Sequence, residues 1–169
     1  MSEPEFNPCW VMVVAGALVV RDSQILFVRQ TYPPFEGLWG FPTGLVDPGE
    51  TVDMAALRET CEEAGVEAEI EGLIGVHNTG GEGGFLYVVY LCRHVSGEPV
   101  PDGVENDRAA YFSPADLDAV QSAASAVGDS AIIPPCAEMA RRFWAGDYRL
   151  LQPWDLAPPR FGPVQTAFW

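Results

Sequence analysis

Between residues 32 and 49 the chain carries Pro33, Pro34, Gly37, Gly40, Pro42, Gly44, Pro48 and Gly49. Proline removes a backbone donor and glycine weakens any regular element, so neither a helix nor a central strand tolerates that density of breakers. The stretch must be an ordered loop or a set of turns, and its flanks must supply the framework. On the N-terminal side, residues 11–20 and 24–30 are two β-branched apolar runs joined by Arg21, Asp22 and Ser23, the pattern of a strand pair with a short turn. On the C-terminal side, residues 51–64 read as a helix. Thr51 can cap it, Asp53 suits its first turn, and Gly65 stands where a left-handed stop is wanted.

Beyond the helix, strands are expected over 67–77 and 85–95, linked through Gly80, Gly81, Gly83 and Gly84, with a short strand at 109–112. Ser113, Pro114 and Asp116 open a helix running to about residue 120, and a last helix is expected over 135–144. A length of 169 residues suits one domain with a real core. We expect a tail at 1–10, a domain at 11–145, and a Pro- and aromatic-rich extension at 146–169 that packs on the domain or on a subunit partner in a homodimer. Strands and helices alternate irregularly, which predicts an α/β sandwich with a mixed sheet rather than a doubly wound parallel one. No Gly-x-Gly-x-x-Gly run opens a helix and no P-loop is present, so dinucleotide-fold and Walker-type readings fall away.

Charge narrows the partners. Nine basic residues against 24 acidic ones leave a net charge of −15, and all nine are Arg. Lysine chemistry is excluded, and so acidic a surface repels a nucleic-acid polymer. Cys9, Cys61, Cys92 and Cys136 show no paired spacing for zinc or a redox dithiol and read as reduced thiols. The apolar run at 10–20 has eleven residues and no basic leader, which suits a buried strand better than a signal peptide or a membrane span. The expectation is a cytoplasmic protein without a membrane partner.

On the 51–64 helix, a turn of roughly 100° per residue gathers Met54, Leu57, Cys61 and Ala64 on one side and Glu59, Glu62 and Glu63 on the other. The first set is the expected core face. Three carboxylates within one turn repel by only about 0.2–0.5 kcal/mol per solvated pair, so an acidic surface is physically tolerable. The same oxygens also suit a hard divalent cation such as Mg²⁺ or Mn²⁺, shared with substrate phosphates and water.

The wider spacing decides between these readings. Gly44, five residues, Glu50, seven residues, Arg58-Glu59, two residues, Glu62-Glu63, one residue and Gly65-Val66 match the Nudix box, Gly-x5-Glu-x7-Arg-Glu-aliphatic-x-Glu-Glu-x-Gly-aliphatic. Seven fixed identities coincide by chance with a probability on the order of 10⁻⁹ per starting position. The chain resembles the Nudix hydrolases, which include the mutator-T nucleotide-cleaning enzymes. Residues 37–44, Gly-Leu-Trp-Gly-Phe-Pro-Thr-Gly, are similar to the family's lead-in, and 111–117, Tyr-Phe-Ser-Pro-Ala-Asp-Leu, to its late strand-to-helix turn. Two positions depart from the pattern. Thr60 holds the aliphatic place, at the border of the acidic and apolar sides, and Thr43 replaces the first glycine of the lead-in pair, where a Cβ crowds the loop.

The resemblance implies an α/β/α sandwich and a metal-dependent hydrolase that cleaves a nucleoside diphosphate linked to another group, a small-molecule nucleotide substrate. It makes Glu59, Glu62 and Glu63 the ligands of Mg²⁺ or Mn²⁺, with the Thr43 backbone carbonyl reaching the same ion, and makes Arg58 the group that orients the carboxylates, through Glu50. The family places its general base variably. Glu105 is the candidate outside the box, ahead of Glu82 and Glu98, and each also reads as a solvated loop acid. Arg29 is the candidate phosphate partner, with Arg93 and Arg108 as alternatives. Tyr32, Phe35 and Trp39 are candidates to stack on a base, and Trp39 reads equally as a core anchor. Two rival readings are a nucleotide-sensing module of the same fold without turnover, and an acidic structural domain with an incidental cation site.

Overall fold

The structure is a computed structural model and describes residues 11–78, 84–125, 131–151, 153–155 and 166–168. The expected tail at 1–10, the glycines at 80, 81 and 83, Glu82, Phe161 and Trp169 lie outside the described residues, as do the side chains of Trp154 and Phe168.

Strands β1 (Met12–Arg21) and β2 (Gln24–Gln30) form the predicted pair. Asp22 and Ser23 both take positive φ, 50° and 65°, the two-residue turn that matches the twist of flanking strands. The pair then splays apart. Strands β3 (Trp39–Gly40) and β4 (Thr43–Leu45) fill the gap, β3 on β2 and β4 on β1. The segment rich in breakers is thus not only turns: its strands are two and three residues long, with Pro42 between them, where its missing N–H breaks no ladder. The Pro42 carbonyl accepts from the Ala17 N–H at 3.1 Å, tying the wedge to β1.

Helix α1 (Val52–Ala64) follows, then β5 (Glu67–Asn78), β6 (Phe85–Ser96), β7 (Asn106–Phe112), α2 (Pro114–Ser125) and α3 (Pro134–Ala145). The sheet has seven strands. Its main path is β3-β2-β1-β6-β5, with β4 on β1 and β7 on β2; β1 and β6 run parallel and the other pairs antiparallel. The mixed sheet is the expected one. A separate hairpin joins β8 (Pro153–Asp155) to β9 (Thr166–Phe168), and Leu151 exchanges backbone bonds with Leu73 on β5. No helix among the described residues is long and apolar enough to cross a membrane.

Alternation along the strands builds two cores. Leu18, Ile25, Phe27, Val89 and Leu91 face α2 and α3, meeting Leu117, Cys136, Ala137 and Ala140. Ala15, Ala17, Val19, Leu26, Val28, Val88, Tyr90 and Cys92 face α1 through Ala55, Ala56 and Ala64. Three layers result, helix, sheet and helices. Ser113 and Asp116 cap α2 reciprocally: the Ser113 N–H donates to Asp116 Oδ2 at 2.8 Å and the Asp116 N–H to Ser113 Oγ at 3.3 Å. Gly65 ends α1 at φ 64° as expected, whereas Thr51 occupies the cap position without a side-chain capping bond.

Phe27 is fully buried between Phe41 and Phe112, with ring centroids 5.2 and 5.1 Å away. Phe27→Ala is expected to lower the unfolding free energy by about 3–5 kcal/mol in urea titration, because that site has rigid strands on both sides and cannot collapse.

Candidate active site

The orientation of α1 differs from the one its periodicity predicts. Its buried residues are Ala55, Ala56, Glu59, Thr60, Glu63 and Ala64, while Met54 and Cys61 are exposed. The small alanines let the helix approach Ala15 and Ala17 closely, and that contact rolls Glu59 and Glu63 inward. They are 8% and 2% exposed, whereas the Glu62 side chain is 60% exposed. The acidic face is therefore divided between interior and solvent. Thr60 is fully buried and donates its hydroxyl to the Ala56 carbonyl at 2.7 Å, so the departure from an aliphatic residue leaves no unpaired polar group there.

Arg58 organises the acids. Its Nε and Nη2 form a two-pronged contact with Glu50, 3.0 Å each, and Nη2 also donates to the Leu45 carbonyl at 3.0 Å. Nη1 donates to Glu59 Oε1 at 2.6 Å and Glu62 Oε2 at 3.0 Å. A guanidinium has five N–H donors, and five bonds occupy Arg58. The contact with Arg58 holds the Glu50 carboxyl below its usual range. Burial pushes Glu59 up, against the pull of Arg58. Gly44 passes so close that a Cβ there would overlap the Glu59 carboxylate.

Among the described residues no cation pairs with Glu63. Its Oε2 accepts from the Thr43 N–H at 3.2 Å, and Oε1 is buried with no hydrogen-bond partner. Burial is the main cause that pushes its carboxyl up to about 9, opposed by the Thr43 bond and reinforced by Glu59 and Glu105. Thr43 is not crowded, because Gly16 lies opposite it: a Cβ at Gly16 would stand 2.6 Å from Tyr87 and 2.8 Å from Thr43 Oγ1. In that space the Thr43 and Tyr87 hydroxyls bond at 3.0 Å.

Beside these residues lies a cavity of about 690 Å³ lined by Gln30, Tyr32, Phe35, Thr43, Gly44, Asp47, Arg58, Glu59, Glu62, His77, Tyr87 and Glu105. Glu105 is brought in by its backbone. The Asp102 carboxylate accepts from the N–H groups of Val104, Glu105 and Asn106, and Thr31 donates its N–H to the Glu105 carbonyl at 3.0 Å. Tyr32 sits among the acids, its hydroxyl pushed up first by burial and then by Glu63, Glu105 and Glu59.

Several candidates fall elsewhere. Arg29 does not line the cavity: its guanidinium pairs with Asp107, because the register of β7 on β2 skips that residue and leaves its carboxylate free to reach back. Arg93 pairs with Glu69, Arg108 lines a separate shallow depression, and Glu98 pairs with Arg21. Trp39 packs on Phe112 at 4.8 Å between centroids, so it is the core anchor rather than a wall of this cavity. Gln30, Tyr87 and Asp102 were not singled out by sequence reasoning. Tyr87 lies in the apolar run at 85–95 that reads as a strand, and Asp102 stands before Gly103 in a turn, but neither these signals nor the place of Gln30 at a strand end points to the site.

The chemistry of the donor set suits a divalent cation. All the donors are hard oxygens, and buried Glu63 Oε1 has an unmade bond directed at no protein group. The fit is incomplete as arranged: among the described residues no three His, Cys, Asp or Glu side chains are grouped to hold a metal ion. Glu62 is turned outward to Arg58.

A model described as NUDIX domain matches residues 11–133. The chain is 30% identical over 103 residues to "ADP-ribose pyrophosphatase" of Methanocaldococcus jannaschii, covering 59% of this chain and 60% of that protein. It is 35% identical over 83 residues to "Nucleoside diphosphate-linked moiety X motif 6" of Xenopus laevis, covering 47% of this chain and 38% of the relative. The chain thus spans less than two thirds of the length of these curated relatives. Among solved structures, a NUDIX hydrolase from Nitrosomonas europaea superposes with a TM-score of 0.68 at 24% identity, covering 84% of this chain and 94% of the other. The MutT NUDIX hydrolase of Burkholderia pseudomallei gives 0.57 at 33% identity, covering 64% and 85%.

The Glu63 carboxyl yields a sign. Its folded value, about 9, lies above the ordinary 4.5, so the unfolded chain releases this proton first as pH rises. The contribution of Glu63 is full below about 4.5 and is lost as pH climbs through about 9. In urea titrations with a chelator present, Glu63→Gln is expected to gain stability relative to the parent steadily across that interval. A pH-independent difference would show that Glu63 keeps an ordinary carboxyl in the folded chain.

Proposed function

The chain belongs to the Nudix family, whose domain model covers residues 11–133, and from that premise we propose that it is a divalent-metal-dependent hydrolase cleaving the pyrophosphate bond of a nucleoside diphosphate linked to another group. One observation carries the reading. The cavity is lined by Asp47, Glu59, Glu62 and Glu105; among the described residues Arg58 is the one arginine in its wall and has all its donors engaged by the protein, and His77 lies at the same wall. Four carboxylates against one saturated guanidinium repel an anionic pyrophosphate, so such a substrate requires an added cation.

Glu59, Glu62, Glu63 and the Thr43 carbonyl would hold that cation, Mg²⁺ or Mn²⁺. When bound, it would neutralise phosphate charge, polarise the scissile bond and lower the pKa of water. Arg58 then has a positioning role, holding Glu59 and Glu62 from one nitrogen while Glu50 fixes the guanidinium from the other side. Glu105, exposed on the opposite wall and held by the Asp102 turn, is the proposed acceptor of the proton from the attacking water. Tyr32 and Phe35 supply flat apolar surface for a base or sugar. The relatives named for ADP-ribose and for nucleoside diphosphate-linked groups support this substrate class. The three described cysteines, all unpaired, accord with a cytoplasmic setting.

The test is a panel of nucleoside triphosphates, ADP-ribose, nucleotide sugars and dinucleoside polyphosphates, incubated with Mg²⁺, with Mn²⁺ and with a chelator, products identified. Hydrolysis at a pyrophosphate bond that stops with the chelator is expected. Nucleotide binding without turnover would instead make the protein a sensing module. With an active substrate in hand, Glu62→Gln and Glu63→Gln are each expected to cut kcat by at least about 10²-fold without loss of fold, a factor in the range for removing a charge-stabilising group. Gly44→Ala should displace the Glu59 carboxylate from Arg58 and cost about 10–100-fold in activity, with only a small shift in Tm.

A further inference from the structure

Where the lead-in carries Thr43 in place of a glycine, two polar groups of that residue have partners far along the chain. Its N–H donates to Glu63 Oε2 at 3.2 Å, and its hydroxyl bonds that of Tyr87 at 3.0 Å. Tyr87 is itself fixed. It is 6% exposed, sits on β6 between Val14 of β1 and His77 of β5, and its hydroxyl also meets Cys136 Sγ at 3.8 Å in the first turn of α3. Strand β4, by contrast, has three residues and pairs with β1 alone among the described strands. Its anchors lie at its two ends, Arg58 Nη2 on the Leu45 carbonyl at 3.0 Å and Tyr87 on the Thr43 hydroxyl.

Gly16 is the register partner of Thr43, and a Cβ there would stand 2.6 Å from Tyr87 Oη and 2.8 Å from Thr43 Oγ1. The glycine thus keeps open the space in which the two hydroxyls meet. A buried hydroxyl that loses its partner stays desolvated and unpaired, so the pair resists opening. The hydroxyl and the N–H of Thr43 hang on one residue, and fixing the first on β6 limits how far the second can turn from Glu63. Arg58 reaches Glu50, Glu59, Glu62 and the Leu45 carbonyl, none of which is Glu63. Resting on the metal-dependent reading above, we propose that Tyr87 is a positioning residue of the cation site: acting through the Thr43 hydroxyl, it holds the Thr43 backbone against Glu63. Arg58 orders the solvent side of the acidic group, and Tyr87 orders the buried side.

The experiment titrates Mn²⁺ alone into the full chain and its variants by calorimetry. Tyr87→Phe keeps the ring and loses one hydroxyl; Thr43→Val keeps the shape and loses the other. Each is expected to bind Mn²⁺ about tenfold more weakly than the parent, the lower end of the cost of losing a group that orients a ligand. The double variant should also lose only about tenfold, because both substitutions remove one bond. Thr43→Ser, which retains the hydroxyl, should bind about tenfold more tightly than Thr43→Val. Without metal, the Thr43 amide should exchange its hydrogen about tenfold faster in Tyr87→Phe, read by NMR, while parental rates along the β1–β6 ladder certify the fold. Parental Mn²⁺ affinity in Tyr87→Phe, an additive loss of about a hundredfold in the double variant, or an unchanged Thr43 amide overturns the inference. Metal-dependent hydrolysis by a parent whose Mn²⁺ affinity ignores Tyr87→Phe removes this inference and leaves the hydrolase reading standing. A Tyr87-dependent Mn²⁺ site without hydrolysis does the reverse, and a parent that binds no Mn²⁺ removes both.

Discussion

A single guanidinium holds the acidic region together. Arg58 meets both oxygens of Glu50, one of Glu59, one of Glu62 and the Leu45 carbonyl, so α1 is bound to the wedge formed by residues 39–50 through one planar group. Each bond is charge-assisted, and the fork geometry suits a pair of carboxylate oxygens in a way that an ammonium could not reproduce. Without it, Glu50, Glu59 and Glu62 would crowd one point with no compensating charge. The half-exposed position keeps desolvation moderate, while the number of partners keeps the geometry rigid.

That clamp has a geometric precondition in the sheet. The two strands β1 and β2 touch only near their turn, and β3 and β4 enter between them to bring Gly44 under α1. The glycine lets Glu59 pass, and Gly16 lets Thr43 and Tyr87 share a hydroxyl contact on the neighbouring strand. Close backbone approach at these two positions, more than any side-chain attraction, decides where the carboxylates end. Glu63 is the cost of the arrangement: a nearly sealed carboxyl with one oxygen unpaired, tolerable as a neutral acid and suited to a cation when ionised.

The opposite wall of the cavity is built from elements distant in the chain. Asp102 gathers three consecutive backbone N–H groups, and Thr31 ties that turn to the loop after β2. Glu105, Tyr32 and Phe35 thereby face the acids of α1 across one space, and Gln30 lies at its edge. The irregularity at Arg29 explains two outcomes together. It gives Arg29 to Asp107 and removes it from the cavity, and beside it Gln30 Oε1 and both amide atoms of Asn106 have no partner among the described residues.

Much of this was legible in residues alone. The spacing from Gly44 to Val66 identified the helix, its stop and the family, and the continuous apolar runs in 11–30 and 85–95 marked strands buried on both faces, because helical spacing and β-branched runs act through local backbone geometry. The breakers of 32–49 announced a shaped connection. Periodicity states which residues share a face but not which face meets the sheet, so the roll of α1 could come only from packing, where Ala55 and Ala56 outcompete Met54 and Cys61 by allowing closer approach while Leu57 and Ala64 keep their expected place. Likewise, a basic residue at a strand end or a tryptophan in a loop carries no record of its eventual neighbour. Asp107 and Phe112, each more than 70 positions along the chain from the residue it meets, settled Arg29 and Trp39. Local chemistry determined the elements and the charged motif; the burial of Glu63, the saturation of Arg58 and the exposure of Gln30 to a cavity are long-range contacts, decided only when the layers closed.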